Sequence, residues 1–374
     1  MKNDKTEQIQ TKAPKVTVLM AVYNGERFLR EAVKSILNQT FRDFEFLIIN
    51  DGSTDRTRYI LASYDDHRIR IVDNEKNIGL TKSLNRGLAM ARGEYVARQD
   101  ADDRSHPSRL EKQVYFMDKH PDVVLLGTQG RIIDVHGRVI KRSCGHKALS
   151  SGAIIFQLLF QNPFTHTSTL FHRKTILERF DGYNERYRYN QDFELWSRVI
   201  HECPTANLPD RLVDYRRNPF SITILTPEKS EAFQRNFSMN VAVQRRNICR
   251  VLGSDYRWED WPELWSLVNV PYIFSDRRQT IDPEVLLSTL SSIKQRFCEM
   301  YGDAMKDPEI RLIISNVYFG LADYFAPRMP RGALKIYRCG TLLSFFNGVR
   351  HLPKFAVKLL RLEFVYRRIA QDEV

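Results

Sequence analysis

Residues 16–55 read VTVLMAVYNGERFLREAVKSILNQTFRDFEFLIINDGSTD, and the changes of period along this stretch decide the fold. Val16 to Val22 is an unbroken apolar run of strand length. From Glu26 to Gln39 the apolar residues Phe28, Leu29, Ala32, Val33, Ile36 and Leu37 keep spacings of three and four, the period of a helix with one buried face. FEFLIIN (44–50) is a second buried strand, after which DGSTD turns the chain. Ser53 or Thr54 is expected to cap a helix over 55–63, since both types accept hydrogen bonds from a first helical turn. The alternation continues with a strand at RIRIVDN (68–74), a helix from Leu80 to Ala91 and a strand at GEYVARQD (93–100). Strand and helix alternating at this spacing predict an α/β fold: an open, mainly parallel sheet flanked by helices.

That arrangement gives the polar residues a place. Tyr23 and Asn24 follow the first strand, Asp51 the second, Asp73 and Asn74 the third, and Asp100 with Asp102 the fourth. The carboxyl ends of parallel strands lie along one sheet edge, where open α/β sheets bind ligands. VYNGERF follows the first strand and carries neither the G-x-G-x-x-G nor the G-x-x-x-x-G-K-[ST] pattern, so glycine-loop amides are not the expected phosphate cradle. EYVARQDADD instead places Glu94, Asp100, Asp102 and Asp103 within ten residues. Should a diphosphate bind here, Mg²⁺ or Mn²⁺ held by Asp102 would offset its charge, because these ions take oxygen ligands and share them with phosphates.

Hydrophobic residues make up 43% and charged residues 27% of 374, the composition of a folded globular chain. The five cysteines, at 144, 203, 249, 298 and 339, form no CxxC pair, which argues against a zinc site or a disulfide framework and suits a reducing compartment. MKNDKTEQIQTKAPK reads as neither signal peptide nor anchor, and the stretch Ala148 to Phe171, free of Asp, Glu, Lys and Arg, is too polar to span a bilayer. A cytoplasmic protein is expected. Its organisation reads as a flexible segment 1–14, a domain over 15–225 and a helical C-terminal region over 226–374. Helices are expected there at 233–251, 283–301, 308–325, 332–346 and 353–369. Of the net charge of +12, half lies from Arg331 to the end, where nine Lys/Arg face three Asp/Glu. In the last helix Phe355, Leu359, Leu362, Tyr366 and Ile369 form a stripe flanked by Lys354, Lys358, Arg361 and Arg368. Such a helix suits the anionic inner face of a membrane, or packing on its predecessors. No nucleic-acid module is present, so nucleic acid is not an expected partner.

Residues 16–55, together with NIGLTKSLNRGLAMARGEYVARQDADD (77–103), resemble the nucleotide-binding half of family-2 glycosyltransferases, which have the GT-A fold. NPFTHTSTLFHR (162–173) and YNQDFELWSRV (189–199) are similar to the acceptor half of bacterial members that build surface polysaccharides. The resemblance implies an inverting, metal-dependent transfer from a nucleotide-diphosphate sugar, a UDP-sugar being favoured, to a hydroxyl of a glycan or lipid-linked acceptor. It implies that Tyr23 packs on the base and Asp51 hydrogen-bonds it, with Glu26 in the same pocket and Ala21 among the nucleotide-sugar contacts. Asn77, Lys82 and Asn85 would line the donor pocket. Asp100-Ala101-Asp102 would be the D-x-D motif, with Asp100 near the ribose and Asp102 on Mn²⁺ or Mg²⁺, and Asp192 the general base. Gln99 departs from the family's pattern, which often has an apolar residue there. His166 is a candidate contact to the diphosphate or acceptor, against an ordinary structural histidine. Trp196 reads as core, and Asp103 with Arg104 as a solvated loop. Two competing readings remain. A sugar-nucleotide pyrophosphorylase should carry a glycine-rich basic loop after its first strand, and an inactive sugar-nucleotide-binding relative should lack Asp102 or Asp192.

Overall fold

The computed structural model describes residues 13–144, 147–218, 231–252, 283–302 and 304–325, with 336, 337 and 339. The chain divides into two compact units: residues 1–146 with 164–224, and residues 147–163 with 225–374.

In the first unit, β1 (Val16–Val22), β2 (Phe44–Asn50), β3 (Ile69–Asp73) and β4 (Tyr95–Arg98) are parallel, in the order β3-β2-β1-β4. Every residue of β1 and β2 is buried, which is why both read as apolar runs rather than as alternating strands. One face of β1, with Val16, Val18, Met20 and Val22, packs on Leu29, Ala32, Val33 and Ile36 of α1 (Leu29–Leu37). The opposite face, through Leu19, meets Gly87 of α3 (Leu80–Met90) so closely that a Cβ there would lie 2.3 Å from the leucine. Full burial of such side chains contributes about 1.5–3 kcal/mol each, so this sandwich is the main support of the strand ends.

Beyond β4 the sheet becomes mixed. β8 (Leu170–His172) runs antiparallel to β4, and β6 (Leu125–Ile133) antiparallel to β8. β9 (Thr205–Arg216) then runs parallel to β6, the short β5 (Arg104–Ser105) antiparallel to β9, and β7 (Val139–Lys141) pairs with β6. The remaining helices of this unit are α2 (Thr57–Ala62), α4 (Arg109–Lys119), α6 (Arg173–Phe180) and α7 (Gln191–Val199). Neither Ser53 nor Thr54 caps α2, contrary to expectation: Arg56 stands at the cap position, with no side-chain cap bond. Both residues are turned instead toward the loop after β1.

The second unit contains α5 (Ser151–Leu158), α8 (Glu231–Leu252), α9 (Pro283–Tyr301) and α10 (Pro308–Phe325). The three long helices fall where the periodicity puts them. Those expected at 332–346 and 353–369 lie outside the described residues, save 336, 337 and 339. Ser150 caps α5, and the Glu309 carboxylate accepts the N–H groups of Leu149 and Ser150 at 3.0 and 3.1 Å. Phe156 of α5 lies edge-on to Phe297 of α9 with centroids 4.8 Å apart. No helix among the described residues is long and apolar enough to cross a membrane.

Candidate functional site

The loops leaving β1 and β2 are laced into one ledge. Asn24, left-handed at φ 50°, donates its N–H to Ser53 Oγ at 3.0 Å, and its Oδ1 accepts the Thr54 N–H at 2.8 Å. The Gly25 N–H reaches Thr57 Oγ1 at 2.9 Å. Glu26 and the second loop then exchange bonds: its N–H donates to Asp55 Oδ2 and its Oε2 accepts from the Arg56 N–H, both at 3.0 Å. Ala21 is buried one residue before the end of β1, and Tyr23, 48% exposed, is held up by this lacing as an open aromatic face.

Asp51 is buried and already occupied. Its Oδ1 accepts from Asn74 Nδ2 at 2.7 Å and from the Ile78 N–H at 2.9 Å, and its Oδ2 accepts the Gly79 N–H at 2.9 Å. A carboxylate offers about four lone-pair sites, so one remains for a further donor. Gly79 has φ 95° and ψ 153°, backbone that only glycine adopts readily, and this conformation aims its N–H at Asp51. Asn77 and Lys82 are exposed. Asn85 instead clasps the backbone of Tyr183, accepting its N–H at 2.9 Å and donating to its carbonyl at 2.8 Å.

The D-x-D turn follows β4. Arg98 and Asp100 are alternate residues at the strand end and share a face. The Arg98 guanidinium donates twice to Asp100 Oδ1, at 2.6 and 3.0 Å. Gln99, fully buried, is the keystone of the turn. Its amide donates to the carbonyls of Asp100 and Asp103 at 2.9 and 3.0 Å, and its Oε1 accepts from Ser105 Oγ and from Arg109. The departure from the family's apolar residue thus has a structural purpose.

Asp103 is not in a solvated loop. It is 1% exposed, its Oδ1 accepts the Arg216 N–H at 2.7 Å, and its Oδ2 has no partner. The β5–β9 pairing carries Arg216 to this point, 113 residues along the chain. Arg216 also donates to the Asp102 carbonyl at 2.7 Å and to Glu31 at 2.7 Å, and Asn218 Nδ2 meets Asp102 Oδ2 at 3.3 Å. Burial, then Asp100, pushes the Asp102 pKa up. Burial, then Asp102 and Asp100, holds the Asp103 pKa well above the carboxylate range. Beneath them Arg109, fully buried, has its pKa pushed down to about 9 by burial against the pull of Asp100 and Asp103.

This turn fits a divalent cation in donor type and charge. Asp102 is a part-buried carboxylate whose pKa is raised by burial and then by Asp100, and Asp103 keeps an orphaned buried oxygen. Among the described residues no group of three His, Cys, Asp or Glu side chains converges as a complete cage. Mg²⁺ and Mn²⁺ sites with one or two protein carboxylates are completed by phosphate oxygens and water.

Asp192 lies in the first turn of α7 and is 5% exposed. Its link to the D-x-D turn runs through Arg98. Burial works against the Arg98 charge, but Asp100, then Tyr183 and Asp192, outweigh it and hold the guanidinium pKa above its ordinary value. Both carboxylates thus act on one buried cation, Asp100 by direct hydrogen bonds and Asp192 through its charge. His166 opens a 3-10 turn (His166–Ser168) before β8, and the next residue, Thr167, receives the Asp100 N–H at 3.4 Å. Trp196 is core, as expected. Sequence reasoning missed Arg98, Tyr183, Asn218 and Arg109. Arg98 was findable from its i, i+2 relation to Asp100. The others reach the turn only through tertiary pairing.

The model of "Glycosyl transferase family 2" matches residues 17–181. The amylovoran biosynthesis glycosyltransferase AmsE of Erwinia amylovora is 34% identical over 205 residues, covering 54% of this chain and 75% of AmsE. The O-antigen biosynthesis glycosyltransferase WbnJ of Escherichia coli is 32% identical over 252 residues, covering 65% of this chain and 94% of WbnJ. In three other relatives the aligned part spans 65%, 86% and 96% of the relative's length. Among solved structures, S. aureus TarS 1–349 in complex with UDP-GlcNAc superposes with a TM-score of 0.52, covering 95% of this chain and 92% of that one at 18% identity. That likeness is one of fold, and the fold is GT-A-like. Similarity of this extent along the relatives decides the kinship: the chain belongs to glycosyltransferase family 2.

Proposed function

We propose that this glycosyltransferase moves a sugar, with inversion, from a nucleotide-diphosphate sugar to an acceptor hydroxyl. The observation that carries the reading is the meeting of the D-x-D turn and the first turn of α7 around Arg98. One carboxylate is thereby available to each half of the reaction. Asp192 takes the proton of the acceptor hydroxyl as its oxygen attacks the anomeric carbon. The bond from that carbon to the diphosphate oxygen breaks on the opposite side, and the anomeric configuration inverts. Asp102 would hold Mn²⁺ or Mg²⁺, which would offset charge on the departing diphosphate. Tyr23 offers an aromatic face for the base, and Asp51 keeps one acceptor site beside it. Glu26, Asn77 and Lys82 line the donor side, and Asn85 fixes the loop that leads toward α7.

The names of AmsE and WbnJ support an acceptor that is a growing surface polysaccharide, free or lipid-linked. TarS carries UDP-GlcNAc, so UDP-sugars are the first donors to try. The test is calorimetric titration of the full chain with UDP-, GDP- and dTDP-sugars, with and without Mn²⁺. Binding that requires the cation, lost in Asp102→Asn without loss of fold, is the expected result. Full activity of that variant in EDTA excludes the metal-dependent reading.

A further inference from the structure

Tyr183 is 2% exposed, yet its hydroxyl has no hydrogen-bond partner. Buried phenols ordinarily find one, because a hydroxyl taken out of water without a partner loses its hydration for nothing. Nor is this hydroxyl loosely placed. Asn85 clasps the residue's N–H and carbonyl, and the ring lies edge-on to Trp196 at 6.3 Å and 65°. Trp196 stands four residues after Asp192 on α7, on the same face one turn away, so the phenol is fixed beside the turn that carries the base. Burial raises the phenol pKa, and the charges acting on it are Arg98 first, then Asp192 and Asp100. The Arg98 guanidinium comes close enough to act on the phenol oxygen as a loose donor without the geometry of a formed hydrogen bond, and the phenol's own proton has no acceptor.

We propose that the Tyr183 hydroxyl, with Arg98 and Asp100, reads a hydroxyl of the transferred sugar ring, an inference that rests on the donor reading above. The surroundings select the ligand class. One guanidinium faces two carboxylates here, a balance that repels a diphosphate and accommodates a neutral polyol. Sugar hydroxyls both donate and accept: they can give a proton to a carboxylate and receive one from a phenol or guanidinium. Arg98 occupies only Oδ1 of Asp100, which leaves Oδ2 to accept.

Tyr183→Phe removes a single oxygen and leaves the ring packing in place. Calorimetric titrations with Mn²⁺ would compare UDP with UDP-glucose, UDP-galactose and UDP-N-acetylglucosamine, and GDP with GDP-mannose, in the parent and the variant. The expected result is unchanged affinity for the nucleotide and about three- to tenfold weaker binding of its sugar form, the range for one neutral hydrogen bond. The melting temperature should stay at or above the parent's, since an unpaired buried hydroxyl is gone. Equal losses for nucleotide and sugar nucleotide, or no loss for either, overturn the proposal while the donor reading stands. Failure of the parent itself to bind any of these probes overturns the donor reading, and the subsite with it.

Discussion

At the scale of single residues, Asp192 separates chemistry from binding. An acid in the first turn of a helix is favoured by the helix dipole whatever the protein does, so its position alone argues nothing. Its nearness to Arg98 and burial at 5% exposure do. Asp192→Asn keeps the shape and removes the proton acceptor, so kcat should fall at least ~10²-fold with donor affinity nearly unchanged. Steady-state kinetics beside donor titration check this, and a collapse of donor binding with a normal residual rate would assign Asp192 to the pocket instead. Gly79 is a second residue with a separable role. A Cβ there would meet nothing within 4 Å, so Gly79→Ala tests backbone strain alone. At φ 95° and ψ 153° the alanine should cost about 1–3 kcal/mol, read as a lower urea midpoint, and should loosen the two loop amides that Asp51 holds. An unchanged midpoint would mean that the loop relaxes out of this conformation at no cost.

At the scale of elements, β3 is entered through a charged clasp with its own pH signature. Arg68 donates to both oxygens of Asp66, at 2.7 and 3.0 Å, reaches the Leu37 carbonyl at 3.2 Å and lies over the Phe44 ring at 4.7 Å. The bond from Arg68 brings the Asp66 pKa down to about 2 from its ordinary 3.8. Between those values the unfolded chain binds more protons than the folded one, so stability rises with pH there. The contribution is complete above the ordinary value and fades as the pH falls toward 2. After allowance for solvent screening it is on the order of 1 kcal/mol. Asp66→Asn should therefore lower the urea midpoint at pH 7 and less so at pH 3, and a gap independent of pH would show that charge is not the cause. The parallel half of the sheet was legible because β1 and β2 are buried on both faces and carry that burial as unbroken apolar runs. The same reading placed Asp100, Asp102 and Asp192 at strand and helix ends. It misread Asp103, whose partner Arg216 arrives only through β9, and it gave Ser53 and Thr54 to the helix after them rather than to Asn24, some thirty positions earlier. Local period reports local burial; it carries no information about a pairing set by a distant strand.

At the scale of the whole molecule, the positive charge from Arg331 to the end is the feature with the widest reach. The stripe Phe355, Leu359, Leu362, Tyr366 and Ile369 lies outside the described residues, and its basic flanks are a property of the sequence. About 1 kcal/mol per cation near anionic lipid would place the full chain on a membrane at low salt. Flotation with anionic vesicles should carry the full chain upward and leave behind a version ending at Leu352; equal behaviour of the two would reduce the stripe to core. The division of the chain has a consequence of another kind. Residues 147–163 leave the first unit midway, contribute α5 to the second, and return at Phe164. Ile154, Phe156 and Leu158 are buried in that second unit, with Phe156 against Phe297. No single cut separates the two units as working pieces. A gene truncated near residue 225 would strip α5 of its partners, and one spliced there onto a foreign helical region would lack the helix that region was built to receive. Recombination at one joint therefore cannot exchange the helical unit between relatives. Two non-adjacent segments must travel together, so the pair is expected to be inherited as one block.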